Sequence, residues 1–518
     1  MDTTWDDRAD VVVVGFGAAG ACAAIEAAGR GADVLVVDRF TGGGATTVSG
    51  GVVYAGGGTE IQRTAGVADS VGAMLGYLTA EVGDAVSPAT LRRFCAESPG
   101  MIDWLGRQGV PFQASLCPYK TSYPSNEFYL YQSGSESAWP YRSVATPAAR
   151  GHRAHGRGTS GRVLFGALAG AAARAGARVL AQTGIRELVV EDGRVAGVAG
   201  WSLSAAPGRV RRAHALLYRY ASKPGLYVPA VARRLARRIT ALERAYGRPV
   251  RVAARRGVVL AAGGFVANRA MLREHAPEFR GGLPLGTLGD DGSGIRLGIS
   301  AGAATARLGN VSAWRFLNPP SALLRGILVD ATGQRFVDES SYGAAIGHKM
   351  ITEHAGRAWL LVDEPTRRLA RRQLGSETLW FQRLQARYLL ASGLRGPVEQ
   401  IARRAGIDAD GLCATLASYN DGTPDRFGKH PDLVHPLTEG PFTLIDCSSR
   451  NVFPCPMLTL GGLAVDEDTG AVLTATGAPV PGLYAAGRTA VGICSNSYVS
   501  GLSLADCVFS GRRAGSNV

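Results

Sequence analysis

Residues 9–38 have the sequence ADVVVVGFGAAGACAAIEAAGRGADVLVVD, which contains two unbroken apolar runs. The runs, Val11–Val14 and Val34–Val37, are typical of strands that are buried on both faces. Between them, the segment 15–20 (GFGAAG) leads into an alanine-rich stretch that predicts a closely packed helix. This strand–helix–strand pattern predicts a dinucleotide-binding βαβ unit, and the rest of the chain is organised around it.

The spacing of the glycines in this segment has a specific physical meaning. Gly15 allows a tight turn, Gly17 lets a pyrophosphate approach the backbone, and Gly20 lets the helix pack against the strand. The phosphates then lie at a helix N-terminus, where free N–H groups and the helix dipole favour anions. Asp38 ends the second run and is expected to accept hydrogen bonds from ribose hydroxyls. The context makes this interpretation far stronger than that of an ordinary glycine-rich turn.

Length and charge set the broad class. The 518 residues favour two domains, and the net charge is +14 from 56 Lys and Arg against 42 Asp and Glu. Much of the excess lies in residues 209–256, which fits either a surface for nucleic acid or anionic membrane, or solvated helix faces. No zinc-finger or RNA-binding motif accompanies the run, so we expect solvated helices and no nucleic-acid partner. Transient membrane contact stays open as an alternative for an enzyme with an apolar substrate.

The remaining compositional signals are negative. Eight cysteines lack C-x-x-C spacing, so neither a metal site nor a disulfide framework is expected. The N-terminal ten residues show no basic and apolar regions of a signal peptide, and no apolar run reaches about 18 residues. We therefore expect a cytoplasmic protein.

Three further regions frame the predicted organisation. Glycines and small hydroxyl residues in 42–51 would expose N–H groups to a phosphate or to the polar edge of a flavin. The aromatic-rich segment 111–160 is expected to pack over a site. Residues 303–450 have predicted helices with charged faces, such as 364–375 and 397–406, and are predicted to be an inserted domain. The expected division is 1–302 and 451–518 for the cofactor-binding domain, and 303–450 for the capping domain.

Shorter patterns give local predictions. Asp192 and Gly193 predict the turn of a β-hairpin. Residues 257–265 predict a buried strand that ends in a glycine pair, where backbone can approach a cofactor. Residues 290–294 (DDGSG) predict the start of a helix.

Several motifs together carry a resemblance to a known family. The N-terminal fingerprint, TLGGLAVD (459–466), PGLYAAGR (481–488) and GLSLADCVFSGRRAG (501–515) occur in the order typical of the FAD-dependent fumarate reductase/3-ketosteroid dehydrogenase family. The resemblance implies an α/β fold: a glutathione-reductase-like Rossmann FAD-binding domain with an inserted α+β capping domain, and FAD in the cleft between them. Asp38 departs from the family pattern, in which many members have Glu.

The fingerprint and the resemblance give one set of predicted cofactor-binding residues. It comprises Gly15, Gly17, Ala18, Ala19, Gly20, Asp38, Arg39, Gly44, Ala45, Thr46, Ser49, Gly50, Gly51, Ile185, Ala262, Gly263, Gly264, Asp291, Gly487, Arg488, Ser503 and Leu504.

The resemblance also implies catalytic residues. Fumarate reductases carry a proton-donating arginine just after an R-F-x-[ND]-E motif, whereas ketosteroid dehydrogenases have a tyrosine there, as Tyr342 follows 335–339 (RFVDE). Those dehydrogenases also have a tyrosine before the last helix, at the place of Tyr498. Ser500 resembles the branch that desaturates 3-keto-5α-steroids at C4–C5, since Δ1-dehydrogenases have glycine there. The predicted catalytic set is therefore Tyr342, Tyr498 and Ser500.

The implied reaction removes a proton from the carbon α to a ring ketone and transfers a hydride from the β carbon to flavin N5. A proton relay from Tyr498 through Ser500 is expected, with Tyr342 on the opposite side of the substrate. Which tyrosine takes the proton stays open. No second apolar strand run leads into a G-x-G-x-x-G, as a nicotinamide domain would show, so the electron acceptor is expected to be external, either quinone-like or a protein.

Rival interpretations also stay open. The enzyme could be a Δ1-type dehydrogenase, a fumarate-reductase-like ene reductase using His430 and His435 as dicarboxylate ligands, or a dehydrogenase of a non-steroid cyclic ketone. A non-catalytic interaction protein with residues 209–256 as its partner surface is the alternative from another class.

Overall fold

The computed structural model describes residues 4–422 and 424–518, and in the segment 223–229 it describes the side chain of Val228 alone. Strands are numbered along the chain: β1 (Asp7–Val14), β2 (Val34–Val37), β3 (Val52–Tyr54), β4 (Leu130–Tyr131), β5 (Gly151–Arg153), β6 (Arg178–Leu180), β7 (Thr183–Glu191), β8 (Arg194–Ser202), β9 (Arg248–Leu260), β10 (Leu283–Pro284), β11 (Thr305–Ala306), β12 (Val311–Ala313), β13 (Ile327–Val329), β14 (Trp359–Val362), β15 (Leu394–Gly396), β16 (Phe442–Asp446), β17 (Pro456–Thr459), β18 (Gly462–Leu463), β19 (Ala471–Leu473) and β20 (Pro479–Ala485).

The α-helices are numbered in the same way: α1 (Ala18–Gly29), α2 (Gly44–Val48), α3 (Glu60–Thr64), α4 (Val71–Val82), α5 (Pro88–Arg107), α6 (Tyr141–Val144), α7 (Gly161–Arg174), α8 (Gly208–Tyr227), α9 (Pro229–Tyr246), α10 (Arg269–His275), α11 (Ser293–Ser300), α12 (Gly343–Glu353), α13 (Glu364–Gln373), α14 (Trp380–Ser392), α15 (Val398–Ala405), α16 (Ala409–Asn420) and α17 (Leu502–Asn517).

The main sheet confirms the predicted α/β class. Its parallel strands have the order β20-β9-β1-β2-β6, with Val12 of β1 opposite Leu35 of β2 on one side and Val258 of β9 on the other. The inner strands are buried on both faces, as their continuous apolar runs require. Helices α1 and α17 pack against each other beside this sheet. The carboxyl ends of β1, β2 and β9 consequently meet at one edge, where ligands bind in such sheets.

Two strand predictions meet different outcomes. The predicted hairpin at Asp192 and Gly193 is present, because β7 and β8 pair antiparallel and both turn residues have positive φ (48° and 76°). The strand predicted over 257–265 ends earlier, since β9 stops at Leu260. Gly263 has φ +81°, so the chain leaves the extended conformation and turns along the sheet edge.

The aromatic-rich segment forms a small structure of its own. Strands β4 and β5 pair antiparallel with each other, and β5 pairs with β3. The Ser122 hydroxyl donates to the Asn318 carbonyl oxygen (2.6 Å), and the Asn318 amide donates to the Lys120 carbonyl oxygen (3.0 Å). These hydrogen bonds fasten the segment to residues of the predicted capping domain.

The predicted capping domain contains a four-stranded antiparallel sheet of order β13-β14-β16-β15. Helices α12 to α16 belong to the same stretch, and those predicted near 364–375 and 397–406 are present as α13 and α15. Strands β11 and β12, at the start of this stretch, pair with β18 and β17 of the third predicted segment. The domain boundaries themselves stay a prediction.

The basic stretch forms a helical hairpin followed by a strand. Helices α8 and α9 connect β8 to β9 in the chain and contact each other, and Tyr218 of α8 and Ile239 of α9 are buried. Among the described residues, no helix is both long enough and apolar enough to cross a membrane.

Candidate active site

A cleft with about 970 Å³ of space free of protein atoms, which includes open solvent at its mouth, lies at the carboxyl edge of the main sheet. Fifteen of the predicted cofactor-binding residues line it: Gly15, Gly17, Ala18, Ala19, Asp38, Arg39, Gly44, Ala45, Thr46, Ile185, Ala262, Gly263, Asp291, Gly487 and Arg488. Residues separated by more than 470 positions in the sequence thus share one cavity.

The glycines of the fingerprint lie where their small size is needed. Gly15 has φ +103°, and a Cβ there would come within 2.5 Å of the Ala261 carbonyl oxygen. A Cβ at Gly20 would lie 1.9 Å from the Gly15 carbonyl oxygen, so α1 packs directly on the strand end. At Gly17 the nearest atom would be the Thr46 hydroxyl at 3.5 Å, so its backbone faces free space in the cleft.

Asp38 lies at the cleft with its carboxylate held by the backbone. One oxygen accepts from the Phe16 N–H (2.8 Å), and the other accepts from the N–H groups of Phe40 (2.7 Å) and Gly42 (3.4 Å). Burial raises the pKa of Asp38, and these three N–H donors oppose that shift. Each carboxylate oxygen can accept more than one hydrogen bond, so capacity for a ribose hydroxyl remains.

The hairpin contributes a residue that the sequence interpretation missed. Tyr218 of α8 lines the cleft and stacks on Phe40, with ring centroids 3.8 Å apart and planes at 6°. At the same end of the cleft, Arg39 forms ion pairs with Glu243 (2.9 Å) and Asp291 (3.1 Å). No sequence motif points to Tyr218, since it reaches the cleft only because the hairpin folds back over the β2 end.

A second missed residue lies beside the carboxyl end of β20. The Asp290 carboxylate accepts from Arg488 Nη2 (2.8 Å), and both residues line the cleft. The sequence 290–294 (DDGSG) predicts the start of a helix, and the predicted cofactor-binding set contains Asp291 but not Asp290.

Seven predicted cofactor-binding residues lie outside the lining of the cleft: Gly20, Ser49, Gly50, Gly51, Gly264, Ser503 and Leu504. The Gly50 carbonyl oxygen accepts from the Tyr123 hydroxyl (2.7 Å), so the 49–51 turn packs against the aromatic segment. Gly264 packs against Thr459, whose hydroxyl would lie 2.4 Å from an added Cβ. The part of these residues in cofactor binding stays a prediction.

The cleft fits FAD by its hydrogen-bond donors and by its glycine-containing lining. Arg488 Nη1 is buried and has no hydrogen-bond partner among the described residues, so a cationic donor is available in a cavity that such a cofactor would fill. The N-terminus of α1 presents backbone N–H groups to the same cavity. Gly15, Gly17 and the α1 N-terminus would hold the phosphates, and Asp38 with Tyr218 would hold the nucleoside.

Four hydroxyl side chains form a buried cluster near this cleft. Tyr131 of β4 and Ser500 place their hydroxyl oxygens 3.0 Å apart, and the rings of Tyr342 and Tyr498 lie 6.2 Å apart between centroids. All four residues are at least 91% buried. The three predicted catalytic residues therefore come together, and Tyr131 joins them.

The cluster revises the expected pairing of the hydroxyls. The Ser500 hydroxyl contacts Tyr131, and it also lowers the pKa of Tyr342, which burial raises. Among the described residues, its hydrogen-bond partner is Tyr131 and not Tyr498. The sequence predicts Tyr131 only as one of several aromatic residues in the segment 111–160 that packs over a site.

Tyr342 is positioned by a buried ionic network just before it in the chain. Arg335 donates two hydrogen bonds to Glu339 (3.0 and 2.7 Å) and pairs with Asp425, while Lys429 Nζ lies 3.2 Å from Glu339. Tyr342 is the N-cap of α12, and its backbone N–H donates to the Ser135 hydroxyl (2.9 Å). The RFVDE motif thus anchors the tyrosine instead of presenting Arg335 to a substrate.

Tyr498 connects the cluster to the cofactor cleft. Its ring stacks on Trp314, with centroids 5.1 Å apart and planes at 16°. Burial raises the pKa of Tyr498, while the Gly501 backbone and the charge of Arg488 lower it. Gly501 is the N-cap of α17, so a helix N-terminus and an arginine both favour negative charge near this hydroxyl.

The histidines of the reductase interpretation lie elsewhere. His430 and His435 flank a short turn at Pro431–Leu433, where the His430 side chain is 40% exposed. Their ring nitrogens bond to the backbone of Asp432. The structure does not bring them to the hydroxyl cluster.

Comparison with known proteins shows the family of this chain. The family model described as "FAD binding domain" matches residues 10–503. The 3-oxo-5-alpha-steroid 4-dehydrogenase of Comamonas testosteroni is 39% identical over 94% of this chain and 93% of that protein.

Solved structures are similar over the whole length. The 3-ketosteroid-Δ4-(5α)-dehydrogenase of Rhodococcus jostii RHA1, solved with 4-androstene-3,17-dione, has a TM-score of 0.83 and 32% identity, covering 100% of this chain and 98% of its own. The 3-ketosteroid Δ1-dehydrogenase of Sterolibacterium denitrificans shares the fold, with a TM-score of 0.66 and 20% identity over 98% of this chain and 99% of its own. The chain belongs to the FAD-dependent fumarate reductase/3-ketosteroid dehydrogenase family, whose members bind FAD and catalyse oxidation–reduction.

Proposed function

We propose that this protein desaturates a 3-keto-5α-steroid at C4–C5, with FAD as its cofactor. The observation that carries the proposal is the buried cluster in which the Ser500 hydroxyl bonds to Tyr131 and interacts with Tyr342, whose ring lies next to that of Tyr498. The 39% identity to a 3-oxo-5-alpha-steroid 4-dehydrogenase supports the regiochemistry.

The reaction requires an acidic α carbon and a hydride acceptor. The C4 proton becomes acidic enough only if the ketone oxygen receives hydrogen bonds as negative charge develops on it. FAD, when bound, accepts the hydride that leaves C5. The protein must therefore bind the ketone, move one proton and exclude water.

We propose that the Tyr498 hydroxyl donates a hydrogen bond to the ketone oxygen. Arg488 and the N-cap of α17 stabilise negative charge around this hydroxyl, which is the electrostatic environment that a developing enolate needs. The stacking of Tyr498 on Trp314 holds the ring in a single orientation.

We propose that Tyr342, together with its neighbours, accepts the proton that leaves C4. A tyrosine has an ordinary pKa near ~10 and burial raises it here, so a base role needs another group to share the proton. Ser500 supplies that group, and its hydroxyl continues to Tyr131 at 3.0 Å. Aromatic side chains of Trp314 and Phe316 contribute flat apolar walls.

The reductase interpretation receives no support from the site. Arg335 is engaged by Glu339 and Asp425, and His430 and His435 lie at an outer turn. A dicarboxylate would therefore meet tyrosine hydroxyls without a cationic clamp from these residues.

The proposal is tested by anaerobic reduction of the bound flavin with a saturated 3-keto-5α-steroid. Loss of flavin absorbance and a product with its double bond at C4–C5 are expected. A C1–C2 double bond would refute the Δ4 assignment. Reduction only by cyclic ketones without a steroid skeleton would refute the substrate class, and no reduction by any ring ketone would favour the non-catalytic alternative.

Three further aspects are part of the proposal. The electrons leave the enzyme to an external quinone-like or protein acceptor, since the sequence shows no second dinucleotide fingerprint. The protein contacts membrane surfaces peripherally. It works in the cytoplasm, which cell fractionation would check.

A further inference from the structure

The outer face of the α8–α9 hairpin carries charge of a single sign. Residues 208–246 contain nine arginines and one lysine against one glutamate. That glutamate, Glu243, faces inward and pairs with Arg39 (2.9 Å) and His214 (3.3 Å). The nine arginines are exposed, and none of them forms an ion pair with a carboxylate in the described ranges.

The arginines follow the helical period. In α9, Arg233, Arg234, Arg237 and Arg238 are exposed at spacings of three and four residues, while Ile239 is 1% exposed and faces the protein. The helix therefore packs on its inner side and presents a continuous cationic stripe to solvent.

Apolar side chains share this outer surface. Leu216 and Tyr220 of α8 are each 53% exposed, and Val228 and Val231, near the connection between the helices, are each 50% exposed. Isolated exposed apolar residues are ordinary, but four of them on one arginine-rich hairpin form an amphipathic surface.

We infer that the outer face of this hairpin docks onto an anionic membrane surface. Anionic headgroups complement the unpaired arginines, and the apolar side chains enter the boundary between headgroups and acyl chains. Charge complementarity thus selects the occupant, and the apolar residues distinguish a lipid surface from a purely ionic partner. This inference specifies the membrane contact named above, and it does not depend on the identity of the substrate.

Two rival explanations can be separated from it. A nucleic-acid duplex would use the same arginines but would gain little from Leu216 and Val231. A second apolar surface, formed by Trp380, Leu384 and Tyr388 of α14, is exposed on the predicted capping domain, but it has no comparable run of arginines.

The main test is co-sedimentation of the FAD-loaded protein with vesicles of phosphatidylcholine, with and without phosphatidylglycerol. Binding is expected only to the anionic vesicles, and added salt should weaken it. The variant R233Q/R234Q/R237Q/R238Q should bind at least about a hundredfold more weakly, since each arginine near an anionic surface contributes about fivefold.

A matched control removes the same charge elsewhere. The variant R371Q/R372Q/R403Q/R404Q loses four exposed arginines of α13 and α15 and should bind nearly as wild type does. The variant L216S/V231S should lose binding while every arginine is retained. Both hairpin variants should keep their flavin spectrum and their turnover with a soluble dye in the absence of vesicles, so a failure of the proposed function would be seen separately.

Several outcomes would overturn the inference. One is that the quadruple hairpin variant binds anionic vesicles as tightly as the wild type does. Another is that the control variant loses as much vesicle binding as the hairpin variant. A third is that W380S/L384S loses vesicle binding while the hairpin variants keep it. Hairpin-dependent binding to a short RNA or DNA duplex without binding to anionic vesicles would assign the surface to nucleic acid.

Discussion

The cofactor cleft and the hydroxyl cluster lie side by side, yet they are built in opposite ways. The cleft is formed largely by backbone, with Gly15, Gly17 and Gly263 in its lining together with Arg488. The cluster is formed by side chains from three distant stretches, at Tyr131, Tyr342 and 498–500. Backbone sites depend on local geometry, whereas side-chain sites depend on how the chain folds around them. Substitutions should therefore affect the two sites differently.

The largest expected effect is on the chemistry of the cluster. Tyr342→Phe, Tyr498→Phe and Ser500→Ala should each lower the rate of flavin reduction by about 10²–10⁴, because each removes a proton-transfer or carbonyl-polarising group. FAD content and the unfolding temperature should change little. Stopped-flow reduction by a 3-keto-5α-steroid measures the rate. Tyr388→Phe, at an exposed tyrosine of α14, is the matched control. A near-normal rate in Ser500→Ala would leave that serine with only a structural role.

The cleft should respond in affinity rather than in chemistry. Gly17→Val directs a side chain toward the cavity that the phosphates would occupy, and it should weaken FAD binding about 10–100-fold through lost charge-assisted hydrogen bonds. Gly29→Ala changes an exposed glycine of the same helix that has no heavy atom within 4 Å of an added Cβ. Flavin fluorescence titration of the apoprotein gives both affinities, and equal values would contradict the assignment of Gly17.

The hairpin should make stability depend on pH at the nucleoside end of the cleft. Burial raises the pKa of Glu243, but hydrogen bonds from His214 and Arg39 outweigh it and lower the pKa to about 2. Because the folded-state pKa lies below the unfolded value, this stabilisation is present above about pH 4.5 and is lost as the pH falls toward 2. Glu243→Gln should lower the free energy of unfolding at neutral pH by about 1–2 kcal/mol. Urea unfolding across pH measures it, and an unchanged acid dependence would contradict it.

The smallest effect tests whether Tyr131 belongs to the relay. Tyr131→Phe removes one neutral hydrogen bond to Ser500 while keeping the ring, so flavin reduction should slow by up to about tenfold. Its pH profile should shift relative to wild type, which a purely structural role would not cause. Tyr129→Phe, two residues before it, is the control, since the Tyr129 hydroxyl bonds to the Gly156 carbonyl oxygen instead. Coincident pH profiles for the two variants would exclude Tyr131 from the relay.

Local sequence patterns were sufficient to predict the part of the cofactor site that is built from backbone. The spacing in 15–20 and the apolar runs at its two sides predicted the strand, the helix and the cleft edge, because close packing at Gly15 and Gly20 tolerates no other residue. The predicted end of β9, at residue 265, was wrong, because the strand ends at Leu260. The turn at Gly263 depends on how the chain crosses the edge of the sheet.

The sequence by itself determined the α/β fold, the FAD-binding family and the presence of Tyr342, Tyr498 and Ser500, because each rests on residue types at short, regular spacings. Only the tertiary structure decided that Ser500 hydrogen-bonds to Tyr131, that Arg335 forms an ion pair with Glu339, and that Tyr218 lines the cleft. Those contacts join residues tens to hundreds of positions apart or depend on which way a side chain turns. Such contacts follow from packing the whole chain, and no local pattern encodes them.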